Sequence, residues 1–386
     1  MKIKINKNKY YKILKQLKNY KDKDSTFSSG HILGSMCTQP HPIAKKAYLE
    51  FLETNLGDPE LFPGTRNIES KYLSFVSNLL NAPKKATGLI GSGGSESNIT
   101  AIWIAKNLSR KKEIILPESA HFSFEKIGSL MDIKLTYIPL NKDFTMNIQS
   151  LKKKINNKTA VVIGLAGSSE LGTVDFIPEI SDICKDQNIF LHIDAAFGGF
   201  VIPFLKKLGY IVNDFDFKLK GVNSISIDSH KMGYSAIPIG ALIIRNKKWL
   251  DEISVETSYI SIKKQAGVLA TRSGGPVAAA YAVAKYLGNE GYKNLVKKCM
   301  NNTNYFEKKI KELGLNFVIT PTMNVLGIKI KNPTKLVNKL TYCGWKVNKM
   351  ERLSAIRIVI MPHVTKKIID DFIPDLEKAC REVGEL

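Results

Sequence analysis

Hydrophobic positions change their period along this 386-residue chain, and the changes predict its elements. Residues 1–24 are rich in lysine, with Tyr11, Leu14, Leu17 and Lys18 at helical spacing, which predicts an amphipathic arm packed on something else. A connection punctuated by glycine and proline leads into a helix ending near Asn55. From about Asn67 the stretch ESKYLSFVSNLLN has the 3.6-residue period of a core-facing helix. Beyond it, β-branched runs such as EIILP, KLTYI, TAVVIGL and IFLHID alternate with helical stretches, without any repeat of fixed length. That alternation predicts an α/β fold: a mostly parallel sheet with helices on both faces. After Arg245 comes a helix-poor piece that includes one long alanine-rich helix. LNFVIT, VLGIKI, WKVNKM and AIRIVIM then predict antiparallel strands accompanied by two helices. The expected division is an N-terminal arm and helical segment over 1–55, a large ligand-binding domain over 56–290, and a small α/β domain over 291–386.

Two strand ends stand out within residues 191–245. The apolar run over 189–193 delivers Asp194, and a second run over 224–227 delivers Asp228, Ser229, His230 and Lys231. Open α/β sheets bind ligands outside the carboxyl ends of their strands. A lysine desolvated there can become a Schiff-base nucleophile. A third stretch, GLIGSGGSESN, reads as a strand, a glycine-rich turn and the start of a helix. Such a helix start offers unpaired N–H groups and the positive end of the dipole to an anion. Gly91, Gly93 and Gly94 permit close backbone approach, while Ser92, Ser95 and Ser97 add hydroxyl donors. The pattern is neither GxGxxG nor GxxxxGK[ST], so dinucleotide and nucleotide loops are disfavoured. A purely structural turn capped by serine also fits this stretch.

Composition narrows the classes. Hydrophobic content of 44% with 24% charged residues is ordinary for a globular protein. No run reaches the roughly 18 apolar residues of a membrane span, and the basic N-terminus lacks the apolar core of a secretory signal. A cytoplasmic protein without a membrane partner is expected. The net charge of +22 raises nucleic acid as a partner, yet the 57 basic residues are 50 lysines and 7 arginines. Arginine is the preferred phosphate and base reader, so a lysine-rich background accounts for the charge and nucleic acid is disfavoured. Cys37, Cys184, Cys299, Cys343 and Cys380 contain no CxxC pair, and the six histidines lack metal spacing. Reduced thiols and no metal are expected.

An anion-binding turn, an aspartate at one strand end and a lysine after Ser-His at the next are together what pyridoxal phosphate needs: a phosphate cradle, an acid for the pyridine nitrogen and a Schiff-base amine. Ala195 and Ala196 leave room for a flat ring against the strand. At this point SISIDSHKMG, HIDAAFGG, GSGGSESN and PESAHFSFEKIG together resemble the group II pyridoxal-phosphate-dependent amino-acid decarboxylases. The stretches SMCTQPHPIA, LETNLGDPELFPGT and RIVIMPHVT are most similar to the archaeal L-tyrosine/L-aspartate decarboxylases, and the similarity runs from about residue 25 to the C-terminus.

The resemblance implies the aspartate-aminotransferase-like fold (fold type I), pyridoxal 5'-phosphate as cofactor, a homodimer, and a small amino acid as substrate. It implies that Lys231 carries the cofactor, Asp194 pairs with the pyridinium nitrogen, Ala196 leaves space for the ring, and His121 stacks on its face. Gly94, Ser95, Ser229 and His230 would hold the phosphate, with Ser168 and Ser169 near the ring. Arg272 and Ser273 match a loop that reaches the neighbouring subunit's phosphate. Tyr259 matches a tyrosine that protonates the α-carbon, and Arg357 is the candidate for the substrate carboxylate. The implied substrates are tyrosine, giving tyramine for methanofuran, and aspartate, giving β-alanine for coenzyme A. Taken singly, His121 also reads as an ordinary hydrogen-bonded histidine, Tyr259 as a packing aromatic and Arg357 as a buried ion-pair arginine. Two rival readings share the lysine and aspartate motifs: another fold-type-I lyase, and a tRNA-dependent enzyme that uses the basic surface.

Overall fold

The β-branched runs become the strands of one seven-stranded sheet in the computed structural model, which describes residues 6–258 and 262–386. They are β1 (Thr87–Gly91), β2 (Glu113–Pro117), β3 (Lys134–Ile138), β4 (Thr159–Leu165), β5 (Phe190–Asp194), β6 (Val222–Asp228) and β7 (Gly240–Ile244). Side by side the order is β1-β7-β6-β5-β4-β2-β3. Only β7 is reversed, lying antiparallel to both β1 and β6. The chain is thus the mostly parallel α/β fold that its alternating pattern predicts.

Strand side chains alternate between faces, and here both faces are buried, so the strands read as continuous apolar runs. In β4, Val161 and Ile163 pack with Ile102, Phe124 and Ile127, while Val162 packs on the other side with Ile177, Ile180 and Cys184. The helices supplying these partners are introduced in chain order. Ahead of the sheet come α1 (Lys7–Lys21), α2 (Pro42–Glu50) and α3 (Pro63–Leu79). Between strands lie α4 (Gly94–Ser109), α5 (Ser123–Met131), α6 (Ile148–Lys154), α7 (Ile177–Asp186) and α8 (Ile202–Lys207).

Some expected boundaries move. The helix expected to end near Asn55 closes at Glu50 as α2, and the chain then turns, with the Thr54 hydroxyl donating to Phe51 O at 2.9 Å. α3 begins at Pro63, ahead of Asn67, because proline suits a first helical turn whose N–H groups have no intrahelical acceptor. α1 forms as expected but buries none of its residues, so Tyr10, Leu14 and Leu17 stay exposed.

A two-stranded ribbon, β8 (Val255–Glu256) with β9 (Lys264–Gln265), leads to the alanine-rich α9 (Gly274–Glu312). α9 kinks at Gly288, whose φ of 54° is one that glycine adopts without steric cost. A second sheet follows, formed by β10 (Val325–Lys329), β11 (Asn348–Met350) and β12 (Ala355–Val359) in the antiparallel order β10-β12-β11. It packs with α10 (Pro333–Tyr342) and α11 (Lys366–Val383) around Phe306, Leu336, Trp345 and Phe372. LNFVIT, expected as a strand of this sheet, makes a single bridge, Phe317 to Ile328. Pro321 just beyond it has no N–H with which to continue a ladder. Among the described residues no helix is long and apolar enough to cross a membrane.

Candidate active site

β5 and β6 are neighbouring parallel strands with Asp194 opposite Ser226, so their carboxyl ends fall at the same edge of the sheet. Asp194 closes β5, Asp228 closes β6, and the turn that follows swings Lys231 back over the edge. The turn is tight. A Cβ on Gly233 would lie 2.6 Å from the Ser229 Cα. Facing these ends is the N-terminus of α4, where β1 hands over through Ser92 and Gly93. Gly93 has φ of 148°, and a Cβ there would sit 2.8 Å from the His230 ring. A side chain at this position would occupy the approach to the helix's free N–H groups.

A cavity of about 370 Å³ lies between these elements. Its wall brings together Gly94, Ser95, His121, Asp194, His230 and Lys231. Ser168, Ser169 and Ala196 also border it. Ser168 is fixed through the Thr173 hydroxyl at 2.8 Å. Ala196 stands opposite Gly94, where an added Cβ would come within 3.1 Å of the alanine's own.

The charges in this cavity are arranged in pairs. Lys231 Nζ lies 3.2 Å from Asp228 Oδ2. Burial pushes the lysine's pKa down, but Asp228 and Asp194 outweigh it, and the net shift is upward. The amine is therefore held as an ammonium. Asp194 accepts from Asn98 Nδ2 at 3.0 Å, from its neighbour Ala196 N at 3.1 Å and from the Ser226 hydroxyl at 3.4 Å. Every one of these partners donates a hydrogen bond to the carboxylate. Burial lowers the pKa of His121, with the Asp194 charge opposing, so its ring is neutral near pH 7. Its Nδ1 accepts from Ser123 N at 3.2 Å. Burial likewise lowers that of His230, whose Nε2 is 3.7 Å from Asp228.

Other residues singled out in the sequence stand elsewhere. The Ser229 hydroxyl turns away from the cavity to bond the buried Tyr72 hydroxyl. Arg272 bonds within this chain, 3.1 Å from buried Glu69 and 2.8 Å from Ile90 O, and neither it nor Ser273 borders this cavity. Ser273 instead precedes α9 as its N-cap residue. Arg357 sits behind Ser169, donating to that residue's carbonyl and to Gly34 O at 2.8 Å. Among the described residues its Nε has no partner, and its other donors go to carbonyls, unlike the ion pair that its sequence context also allows. Tyr259 lies outside the described residues.

Sequence reasoning passed over four side chains. Asp228 was noticed without a role, and His192 was weighed only as a metal ligand. Asn98 ends the GSGGSESN stretch and Ser119 lies in PESAHFSFEKIG, but neither has a role in the sequence reading. A signal existed for Asn98: it follows Gly94 by one helical turn, so both face the same way.

The residues fit pyridoxal phosphate. The glycine cradle at the helix start suits its phosphate, and the buried Ser119 hydroxyl in the wall has no partner among the described residues. Sheet order and cavity define a fold-type-I pyridoxal-phosphate enzyme. A sphingosine-1-phosphate lyase from Burkholderia pseudomallei shares this fold with a TM-score of 0.89 at 23% identity, covering 99% of this chain and 92% of that one. Residues 50–328 match the pyridoxal-dependent decarboxylase conserved domain. The L-aspartate/L-glutamate decarboxylase of Pyrococcus horikoshii is 45% identical over 95% of this chain and 96% of its own length. A protein of Methanothermobacter thermautotrophicus, named a probable L-tyrosine/L-aspartate decarboxylase, is 43% identical over 91% of this chain and 98% of its own. The chain belongs to the pyridoxal-dependent decarboxylase family, and it is an amino-acid decarboxylase.

Proposed function

We propose that the amino acid is L-aspartate, giving β-alanine, with L-tyrosine, giving tyramine, as the second substrate. The convergence of Lys231, Asp194 and the α4 N-terminus on one cavity carries the reaction class. Aspartate is preferred because it is common to the names of both archaeal relatives. The products would feed coenzyme A and methanofuran biosynthesis in the cytoplasm. The working unit is a homodimer, with the chain divided at 1–55, 56–290 and 291–386.

Pyridoxal phosphate, when bound, supplies a conjugated ring that accepts the electron pair released as carbon dioxide leaves. Lys231 is its attachment point. The lysine becomes a nucleophile only on losing the proton that its pair with Asp228, at 3.2 Å, favours. Asp194, oriented by its donors, would pair with the ring nitrogen. His121 offers a neutral face to the ring. Gly94, Ser95 and His230 hold the phosphate at the helix start, with Ser229 steadying the turn, Ser168 and Ser169 beside the ring, and Ala196 leaving it room. Arg357 is the candidate for the substrate carboxylate, standing behind Ser169 rather than in the cavity wall. Holding that group perpendicular to the ring selects the bond that breaks. Tyr259 returns a proton to the α-carbon, and Arg272 with Ser273 serves the partner's phosphate.

Incubating the cofactor-loaded protein with each of the twenty amino acids and identifying the amines formed tests the substrate. β-Alanine and tyramine are expected, and neither appearing would overturn the assignment. Lys231→Ala is expected to lose both turnover and the visible absorbance of the attached cofactor; a retained band would remove Lys231 from its role.

A further inference from the structure

Asp194 is held from behind by a buried chain of side chains that the catalytic reading does not use. His192 and Asp194 are two apart on β5 and so project from the same face. His192 is fully buried, with Nδ1 2.8 Å from the Ser224 hydroxyl and Nε2 3.0 Å from Asn98 Oδ1. Asn98 then spends its Nδ2 on Asp194 Oδ2 at 3.0 Å and on the Ser123 hydroxyl at 3.3 Å. The chain Ser224, His192, Asn98, Asp194 therefore links two strands to α4, and each of its members is buried.

Donors and acceptors can be assigned along it in only two ways. Burial pushes the His192 imidazole down to about 4, so it is neutral and carries one N–H. If that hydrogen is on Nε2, it donates to the Asn98 oxygen, the Ser224 hydroxyl donates to Nδ1, and the Asn98 amide must point its N–H at Asp194. If the hydrogen is on Nδ1, the Asn98 amide reverses and sets its oxygen against the Asp194 carboxylate. Setting the amide oxygen against a buried carboxylate is costly, so the first arrangement, in which Asn98 Nδ2 donates to Asp194 Oδ2 at 3.0 Å, is the one adopted.

We propose that Asn98 and His192 are positioning residues that lock the Asp194 carboxylate in the orientation that meets the nitrogen of the cofactor ring. This rests on the pairing of Asp194 with that nitrogen proposed above. Asn98 also follows Gly94 by one turn of α4, so a single helix face sets the phosphate end and the nitrogen end of the site together. Replacing Asn98 would weaken the hold on the ring nitrogen while leaving the phosphate cradle in place.

The test measures the dissociation constant of the apoprotein for pyridoxal phosphate and for its carbocyclic analogue, in which CH replaces the ring nitrogen. Asn98→Ala is expected to raise the constant for pyridoxal phosphate about tenfold, as for loss of a hydrogen bond to a charged group, and to leave the analogue's unchanged. Thermal unfolding of the apoprotein accompanies each measurement. His192→Phe, which frees the Asn98 amide to reverse, is expected to discriminate in the same sense and serves if Asn98→Ala does not fold. Equal losses for both ligands would mean a merely structural role and overturn the inference, as would no loss for either. Asp194→Asn is run in parallel. Discrimination by Asp194→Asn without it in either other variant removes this inference alone. No discrimination by Asp194→Asn removes the pairing of Asp194 with the ring, and this inference with it.

Discussion

Lys231 and Asp228 form a buried ion pair that holds the reactive amine in its charged form, and His192 is a buried base held neutral. The second has a consequence for stability. Burial sets the His192 pKa near 4 in the folded chain against an ordinary 6.5, so between these values the unfolded chain binds more protons. Stability from this residue is complete above pH 6.5 and is lost as pH falls toward 4. Asp175 works the opposite way. Burial raises its carboxyl to about 6 despite hydrogen bonds from Met146 N and Leu165 N, and its contribution is lost as pH rises from about 3.8 to 6. Urea midpoints measured from pH 7 to 4.5 are expected to fall less steeply in His192→Phe than in the parent chain. An unchanged slope would show that His192 is not held neutral. Of these residues, Lys231 and Asp194 could be read from sequence because their motifs state their chemistry. The pairing of Asn98 with Asp194 could not, since the two are 96 positions apart.

At the scale of elements, the site depends on how closely the ends of β4, β5 and β6 approach one another. Gly198 follows Asp194 in the HIDAAFGG stretch, and a Cβ there would lie 2.1 Å from Ala166 O at the end of β4. The contact is between backbones, so no side-chain rotation can relieve it. Gly198→Ala is expected to cost about 3 kcal/mol in denaturant unfolding and to weaken pyridoxal phosphate binding, because the turn carrying Ala196 must shift. A loss under about 0.5 kcal/mol would mean that the turn adapts. Most elements were legible from period alone, since both faces of the sheet are buried and helices alternate with strands. LNFVIT was not: its apolar residues fit a strand, but a ladder needs an edge and donors as well as a pattern. The Ser229 hydroxyl differs for a similar reason. The family resemblance implies phosphate contact for it, whereas the Tyr72 hydroxyl on α3 bonds it.

For the whole molecule, an exposed amphipathic α1 and an Arg272 turned away from its own cavity are features of a chain considered alone. Sedimentation of the purified protein is expected to give twice the 43.1 kDa chain mass. A monomer that turns over amino acids would rule out the proposed dimer as the working unit. The sequence by itself determined the α/β alternation, a glycine-rich helix start, and a lysine and an aspartate at strand ends. Each of these depends on residues within a few positions of one another, where chain geometry leaves little choice. Only the tertiary structure decided that Asn98 and His192 stand behind Asp194, that Glu69 takes Arg272, and that Arg357 lies behind Ser169. Those pairings join distant segments. A polar side chain offers the same donors and acceptors to any neighbour, and burial in the packed core selects which partner it must have.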